Sequence, residues 1–428
     1  MGCSTHGFRV FAHFNWSRFA GTVQAIMEPV CASIGIIAWN EEDSLAAMLE
    51  SLFGQTLFGE LGRRGLRAEV VCVANGCTDG TARVAERVFE AQADRHLWRE
   101  WFCCRVASLA ERGKLNAWNQ FVHALSAREA RYLLLMDADI VIHREETLWT
   151  MLSVLEEDAQ ASVAVDRPCK HLRFKARKSI REQMSLAASD MTSAAPAQLC
   201  AQLYCIRAEV ARNIYLPKDL AACEDGFIKA LVCTDFLEHE VWPRRIRLAE
   251  GAEHTFEAYT TLGSIARNQK RQILGQTMVH LLIDLNLKAL SPGERARLAE
   301  ILQRRDMEDP WWLKRLVAAH LRRSRFFWRL YPGLLRHRFD RLLKVTGWKR
   351  VACAPVAVVG FALALVSGFL AWRALKRGAT DYWPRENRLG LAGRESLPAS
   401  APSTPDRLPA NRAKDNLCTA PYPKRSAG

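Results

Sequence analysis

The chain has 428 residues, 49% of them apolar, and a formal charge of +14, so it is long and apolar enough for a sizeable core and excludes a largely disordered protein. The positive charge calls for an anionic partner, yet it forms no compact nucleic-acid-binding block and gathers after about Arg304, which favours lipid headgroups over DNA or RNA. Thirteen cysteines at irregular spacing, without paired CxxC, exclude a zinc module or disulfide scaffold and fit a reducing compartment.

Residues 1–28 lack a continuous apolar run and are expected to form a poorly ordered extension, not a secretory signal. Strand and helix patterns then alternate over 29–260. Cys31 to Ala38 is an apolar strand, followed by Asn40-Glu41-Glu42-Asp43 and a helix from Leu45 to Phe53 capped by Asp43 or Ser44. Glu69 to Ala74 repeats the strand, with Asn75-Gly76 as its turn and Thr78 or Asp79 capping a helix from Ala82 to Ala91. Tyr132 to Met136 is a third buried strand, ending in Asp137-Ala138-Asp139. Such alternation predicts an α/β fold with a mostly parallel, Rossmann-like sheet, in which ligands sit beyond the carboxyl ends of the strands.

Strand signals stop at Thr261. Residues 261–350 read as a basic, helical, membrane-proximal region, and Leu321 to Trp328 with Leu334 to Leu343 mix cations and aromatics as interfacial helices do. Residues 351–372 carry no charge, and as a helix they reach about 33 Å, enough to cross a hydrocarbon core of roughly 30 Å. They are expected to be a transmembrane helix. Residues 376–428 turn to Pro, Ala, Ser and Arg and are expected to be a disordered tail.

Five short motifs occupy the strand ends and helix starts: AWNEE at Ala38 to Glu42, NGCTDGT at Asn75 to Thr81, GKLNAWN at Gly113 to Asn119, MDAD at Met136 to Asp139, and CEDG at Cys223 to Gly226. In this order they resemble the GT-A glycosyltransferases of family 2, over roughly Pro29 to Leu231. The resemblance implies an inverting transferase that moves a sugar from a nucleotide diphosphate donor, UDP being favoured, with Mg²⁺ or Mn²⁺ as cofactor. It implies a donor site formed by Asn40, Glu41, Asn75, Asp79, Lys114 and Asp137. Asp137 and Asp139 would hold the metal; apart from the resemblance, His254 in AEHTF is a weaker candidate for a third ligand, a lone histidine being more often structural. Asp225 matches the family's general base, and Glu224, Gln202 and Arg271 are weaker candidates for the acceptor side or a phosphate.

The chemistry suits those residue types. Strand-end amides and carboxylates hydrogen-bond bases and ribose, an ammonium answers a diphosphate, and paired carboxylates take a hard cation. Each has a plainer use as well: Asp79 as a helix cap, Lys114 as a solvated lysine, and Glu224-Asp225 as partners of a helix dipole. The QxxRW element of processive synthases has no counterpart, its nearest sequence being Arg267 to Gly275 (RNQKRQILG). The expectation is therefore single-sugar addition to a lipid-linked or glycan acceptor in polysaccharide or glycolipid biosynthesis. The enzyme would be single-pass in an inner membrane, facing the cytosol where nucleotide sugars are made. A catalytically silent nucleotide-sugar-binding protein of the same fold is the alternative. A nucleotidyltransferase lacks its Gly-rich cationic loop here, and a dehydrogenase its GxGxxG.

Overall fold

The computed structural model describes residues 29–175, 177–179, 183, 186, 198–220, 223–257, 261–323, 326–331, 333–335, 343 and 347–378. The expected N-terminal extension, the tail beyond 378 and most of Leu334 to Leu343 lie outside them.

Eight strands form one sheet: β1 (Val30–Ala38), β2 (Arg67–Asn75), β3 (Phe102–Leu109), β4 (Tyr132–Asp137), β5 (Val141–Ile142), β6 (Val163–Lys170), β7 (Leu203–Arg207) and β8 (Ile246–Phe256). Their order is β3-β2-β1-β4-β7-β6-β8-β5. β3, β2, β1 and β4 run parallel, as the alternating pattern predicts. β7 then enters antiparallel to both β4 and β6, β6 runs parallel to β8, and β5 closes the edge antiparallel to β8. The sheet is thus a parallel Rossmann-like half joined to a mixed half.

β1 and β2 are buried on both faces, which is why they read as unbroken apolar runs. Because side chains alternate, Ile37, Val71, Val73, Leu133 and Leu135 enter one core, while Ile34, Ile36, Val70, Cys72, Leu134 and Met136 enter the other. Helices α1 (Leu45–Phe53), α2 (Leu57–Gly62), α3 (Thr81–Arg95), α4 (Lys114–Gln120) and α5 (Thr147–Glu157) follow the strands of the first half, and a π-helical turn, Phe121–Leu125, extends α4. It brings Phe121 so close to β1 that a Cβ on Gly35 would lie 2.6 Å from the ring. Ser44 begins α1 without a side-chain cap bond; its hydroxyl turns instead to the Glu41 carboxylate, 2.5 Å away.

α4 is tied to the antiparallel strand by a buried bond, Trp118 Nε1–H donating to the Tyr204 hydroxyl at 2.6 Å. Tyr204→Phe leaves that indole N–H without its acceptor in a closed core, and a loss of about 1–3 kcal/mol is expected in urea unfolding. A change below the error of the measurement would show that the bond adds nothing net.

After β7 come α6 (Ala208–Arg212) and α7 (Glu224–Cys233), and after β8 a long helix, α8 (Leu262–Leu285), capped by the Thr261 hydroxyl accepting from Ser264 N–H. Three more follow: α9 (Pro292–Arg295), α10 (Leu298–Glu308) and α11 (Trp312–Arg323). α11 ends before Phe326, and Phe327–Arg329 is a 3₁₀ turn, so Leu321 to Trp328 is not the single interfacial helix expected. The last helix, α12 (Trp348–Lys376), includes the one stretch among the described residues long and apolar enough to cross a membrane, Ala357–Lys376. It does not stand apart: it packs along α8 and α11, and Ala371 and Leu375 share a core with Met278, Leu282, Val317 and Leu321.

Candidate functional site

The carboxyl ends of β1, β2 and β4 meet the starts of α3, α4 and α7. The first two loops are stitched together by side chains. Asn75, buried at the end of β2, donates its Nδ2–H to the Ala38 carbonyl (2.6 Å) and accepts from Gly113 N–H (2.9 Å), fastening three loops at one point. Asn40, itself at φ 54°, accepts from Thr78 N–H at 2.8 Å. Glu41 N–H donates to the Thr81 hydroxyl (2.8 Å), and Gly80 N–H donates to Glu42 (2.8 Å). Asp79 accepts from Thr81 N–H at 3.1 Å and from Glu42 N–H at 3.3 Å, so it ties the two loops at the start of α3, whose N-cap position is held by Gly80. Glycine is required between them: Gly76 has φ +62°, and a Cβ there would lie 2.8 Å from the Arg112 backbone. The amides and carboxylates expected to meet a nucleotide thus spend much of their bonding on holding the loops that would surround it.

Two residues passed over in the sequence stand at this mouth. Trp39, directly after β1, is half-buried, and the Arg112 guanidinium lies 3.5 Å from its ring centroid. A tryptophan between Ala38 and Asn40 was the available signal. It offers a flat face where an aromatic base can stack.

The deeper part is built on charge. Lys114 opens α4 and is enclosed: its Nζ lies 2.7 Å from Asp137 and 3.2 Å from Glu224. Burial opposes its charge, but those two carboxylates outweigh burial and push the ammonium above its ordinary value. The lysine expected to face a diphosphate is therefore the pin joining β4 to α7. Burial alone would raise Glu224, yet Lys114 chiefly, then its own backbone N–H and last Arg271, hold it below its usual value. Burial pushes Asp137 up to about 6 despite Lys114, with Asp139 and Glu224 adding to the rise. Asp225 is pushed up to about 6 by burial and then by Glu224, while Gly226 N–H, donating at 2.7 Å, works the other way. Lys114, Asp137 and Glu224 line a void of about 10 Å³ together with Ile37, Trp118 and Tyr204. Asp139, two residues beyond the end of β4, is exposed.

Gln202 reaches the cluster through its backbone, its carbonyl accepting from Asp137 N–H at 2.9 Å. Burial raises the Cys200 thiol to about 12, and Asp166, Asp137 and Asp225 add to it, so Asp166 on β6 belongs to the same neighbourhood. Asp166 accepts from His254 Nδ1–H at 2.6 Å, both residues being fully enclosed, and His254 Nε2 has no hydrogen-bond partner. Asp166 was not foreseen because its partner is 88 residues away on a neighbouring strand.

Among the described residues no three His, Cys, Asp or Glu side chains form a ready-made metal cage. Carboxylates outnumber cations in the cluster, Asp139 is exposed beside Asp137, and a buried imidazole nitrogen is left over on a ring oriented by Asp166, as ligating histidines commonly are. These donors fit a hard divalent ion that completes its shell with phosphate oxygens and water.

Residues 33–196 match the sequence model of glycosyl transferase family 2. No curated protein matches the sequence. Among solved structures, residues 1–349 of S. aureus TarS align at 16% identity and TM-score 0.40, covering 81% of this chain and 90% of that one. A longer structure of TarS is covered over 55% of its length. Mannosyl-3-phosphoglycerate synthase from Rubrobacter xylanophilus aligns at 13% identity and TM-score 0.38, covering 62% of this chain and 78% of that one. Glucosyl-3-phosphoglycerate synthase from Mycobacterium tuberculosis, solved with Mn²⁺ and UDP-glucose, aligns at 13% identity and TM-score 0.38, covering 58% and 79%.

Proposed function

We propose that this chain, whose residues 33–196 match the sequence model of glycosyl transferase family 2, is an inverting, non-processive transferase using a nucleotide diphosphate sugar, UDP-linked in the first instance, and a membrane-held acceptor. The observation that carries this reading is the meeting of Asp225, Glu224, Lys114, Asp137 and Asp139 at one end of the sheet, beyond the loops fastened by Asn40 and Asn75.

In this reading the base of the donor lies against Trp39. The loops of AWNEE and NGCTDGT frame the ribose. Asp139 and Asp137, with His254, would hold Mg²⁺ or Mn²⁺, which when bound supplies positive charge for the departing diphosphate. Asp225 accepts the proton of the acceptor hydroxyl as that oxygen bonds to the anomeric carbon. The bond from this carbon to the diphosphate oxygen breaks at the same time, and its electron pair leaves with the diphosphate. Entry from the face opposite the leaving group inverts the configuration. An Asp225 held near 6 is mostly ionised at neutral pH and more basic than an ordinary aspartate, which suits a general base. Glu224, held ionised by Lys114, keeps that pair from sharing one proton.

Membrane attachment through α12 belongs to the same reading, with the catalytic unit on the cytosolic side. The direct experiment measures nucleotide release from UDP-, GDP- and TDP-sugars with Mn²⁺ or Mg²⁺ and a membrane-lipid extract. Metal-dependent release from one donor, stimulated by the extract, is the expected result. Donor binding without turnover would favour the silent-binder reading, and no binding of any donor would sink both.

A further inference from the structure

The last helix was expected to cross the bilayer, but its packing describes a different relation to a membrane. Buried positions recur at Ala364, Ser367, Ala371 and Leu375, one side of a helix, and pack with α8 and α11. The other side carries Val358, Val359, Val366, Phe369 and Leu370, between 42% and 65% exposed. Among the described side chains this exposed strip runs from Val358 to Leu370, about 18 Å along the helix. It does not end at the helix. Phe369 meets Phe327 edge to face at 6.0 Å, Phe327 meets Trp328 at 5.3 Å, and Trp328 stacks on Phe326 at 4.6 Å, with Phe326 and Trp328 both exposed. An apolar strip thus runs into an aromatic cluster.

Its surroundings are cationic. Arg373 lies 5.8 Å from the Phe369 ring and Lys376 lies 4.0 Å from that of Trp372, while Arg322, Arg323 and Arg377 are exposed on the ends of α11 and α12. Over residues 310–378 the sequence has 15 Lys and Arg against one acid, Asp340, which equals the net charge of the entire chain. Aromatic rings and aliphatic side chains rimmed by arginine and lysine match the chemistry of an anionic leaflet, where rings sit at headgroup depth and the cations meet phosphates. The side of α12 that carries Ala364, Ser367, Ala371 and Leu375 is already covered by α8 and α11, and 28% of the stretch Ala357–Lys376 is buried.

We propose that the outer face of α12, with Phe326 and Trp328, seats the protein sideways on one leaflet of an anionic phospholipid membrane. The helix lies along the surface without crossing. This inference is independent of the transfer reaction, because lipid binding is read without donor or acceptor.

The test uses the full chain and sedimented vesicles of phosphatidylcholine alone or mixed with phosphatidylglycerol. Binding to the mixed vesicles, weaker on phosphatidylcholine and released by alkaline carbonate, is expected. Val366→Asp with Leu370→Asp should lower the bound-to-free ratio by about tenfold or more, since two charges enter the apolar face. An unchanged urea midpoint would show that this pair still folds. Arg373→Glu with Arg377→Glu should instead abolish the preference for phosphatidylglycerol. Retention after alkaline carbonate would mean a spanning helix and overturn the proposal. So would indifference to both pairs of substitutions, or self-association through this face without vesicle binding.

Discussion

Replacing Asp225 by Asn is expected to lower kcat for sugar transfer by about 10²–10⁴ while leaving donor affinity close to that of the parent protein. The amide keeps the shape of the side chain and can still accept from Gly226 N–H, but it cannot take a proton from an acceptor hydroxyl. The pH profile carries a second signature. With Asp225 pushed up to about 6, the base is lost as pH falls through that value, so kcat/KM should decline on the acid side and the residual activity of D225N should lack that limb.

Stability should move the other way. A carboxyl at about 6 in the fold, against an ordinary 3.8, binds its proton more tightly folded than unfolded. Its ionisation therefore weakens the fold as pH rises from about 4 to 6. The neutral Asn avoids that loss, so D225N should melt higher than the parent at neutral pH, with the gain vanishing near pH 4. Undiminished turnover in D225N would remove Asp225 from the chemistry. A lower melting temperature at neutral pH would instead mark it as a structural helix-start residue.

The largest loss of stability is expected from Lys114→Met. The methionine fills a similar volume but strands Asp137 and Glu224, both largely enclosed, without their shared cation. Removing one partner from a buried ionic group typically costs about 3–5 kcal/mol, because the remaining charge stays desolvated. Urea unfolding at neutral pH measures this directly. The ammonium is held above the ordinary lysine value of 10.5, so its contribution is fully present below that value and fades only as pH climbs beyond it. Mild acid should shrink the penalty, because Asp137, held near 6, then becomes neutral. A loss below about 1 kcal/mol at neutral pH would mean that the three groups do not depend on one another.

The sequence revealed the parallel half of the fold because β1, β2 and β4 are buried on both faces and stand out as apolar runs. The other half was much less legible. β3 and β6 carry polar or half-exposed positions, and β5 is two residues long, so neither periodicity nor composition marks them. The antiparallel entry of β7 depends on pairing with β4, across some seventy residues, which no local pattern encodes.

At the site, the motifs located the neighbourhood, and the structure brings Asp137, Lys114, Glu224 and Asp225 together. What they did not disclose was direction. Lys114 turns inward to two carboxylates, and Asn75 turns its amide toward backbone groups. Which way a polar side chain points depends on neighbours distant in sequence. The Asp166–His254 pair and the Arg112–Trp39 stack escaped for the same reason.

The burial of α12's inner side also changes where the chain can be divided. Ala371 and Leu375 close over Met278, Leu282, Val317 and Leu321, so the folded unit extends through the last helix and does not stop at its beginning. Cutting before Trp348 would not release a complete folded unit. It would open a greasy seam beneath α8, the helix whose Arg271 helps set the charge of Glu224. In the proposed reading, the face that would meet a membrane and the acidic cluster that would carry the transfer therefore belong to one folded unit.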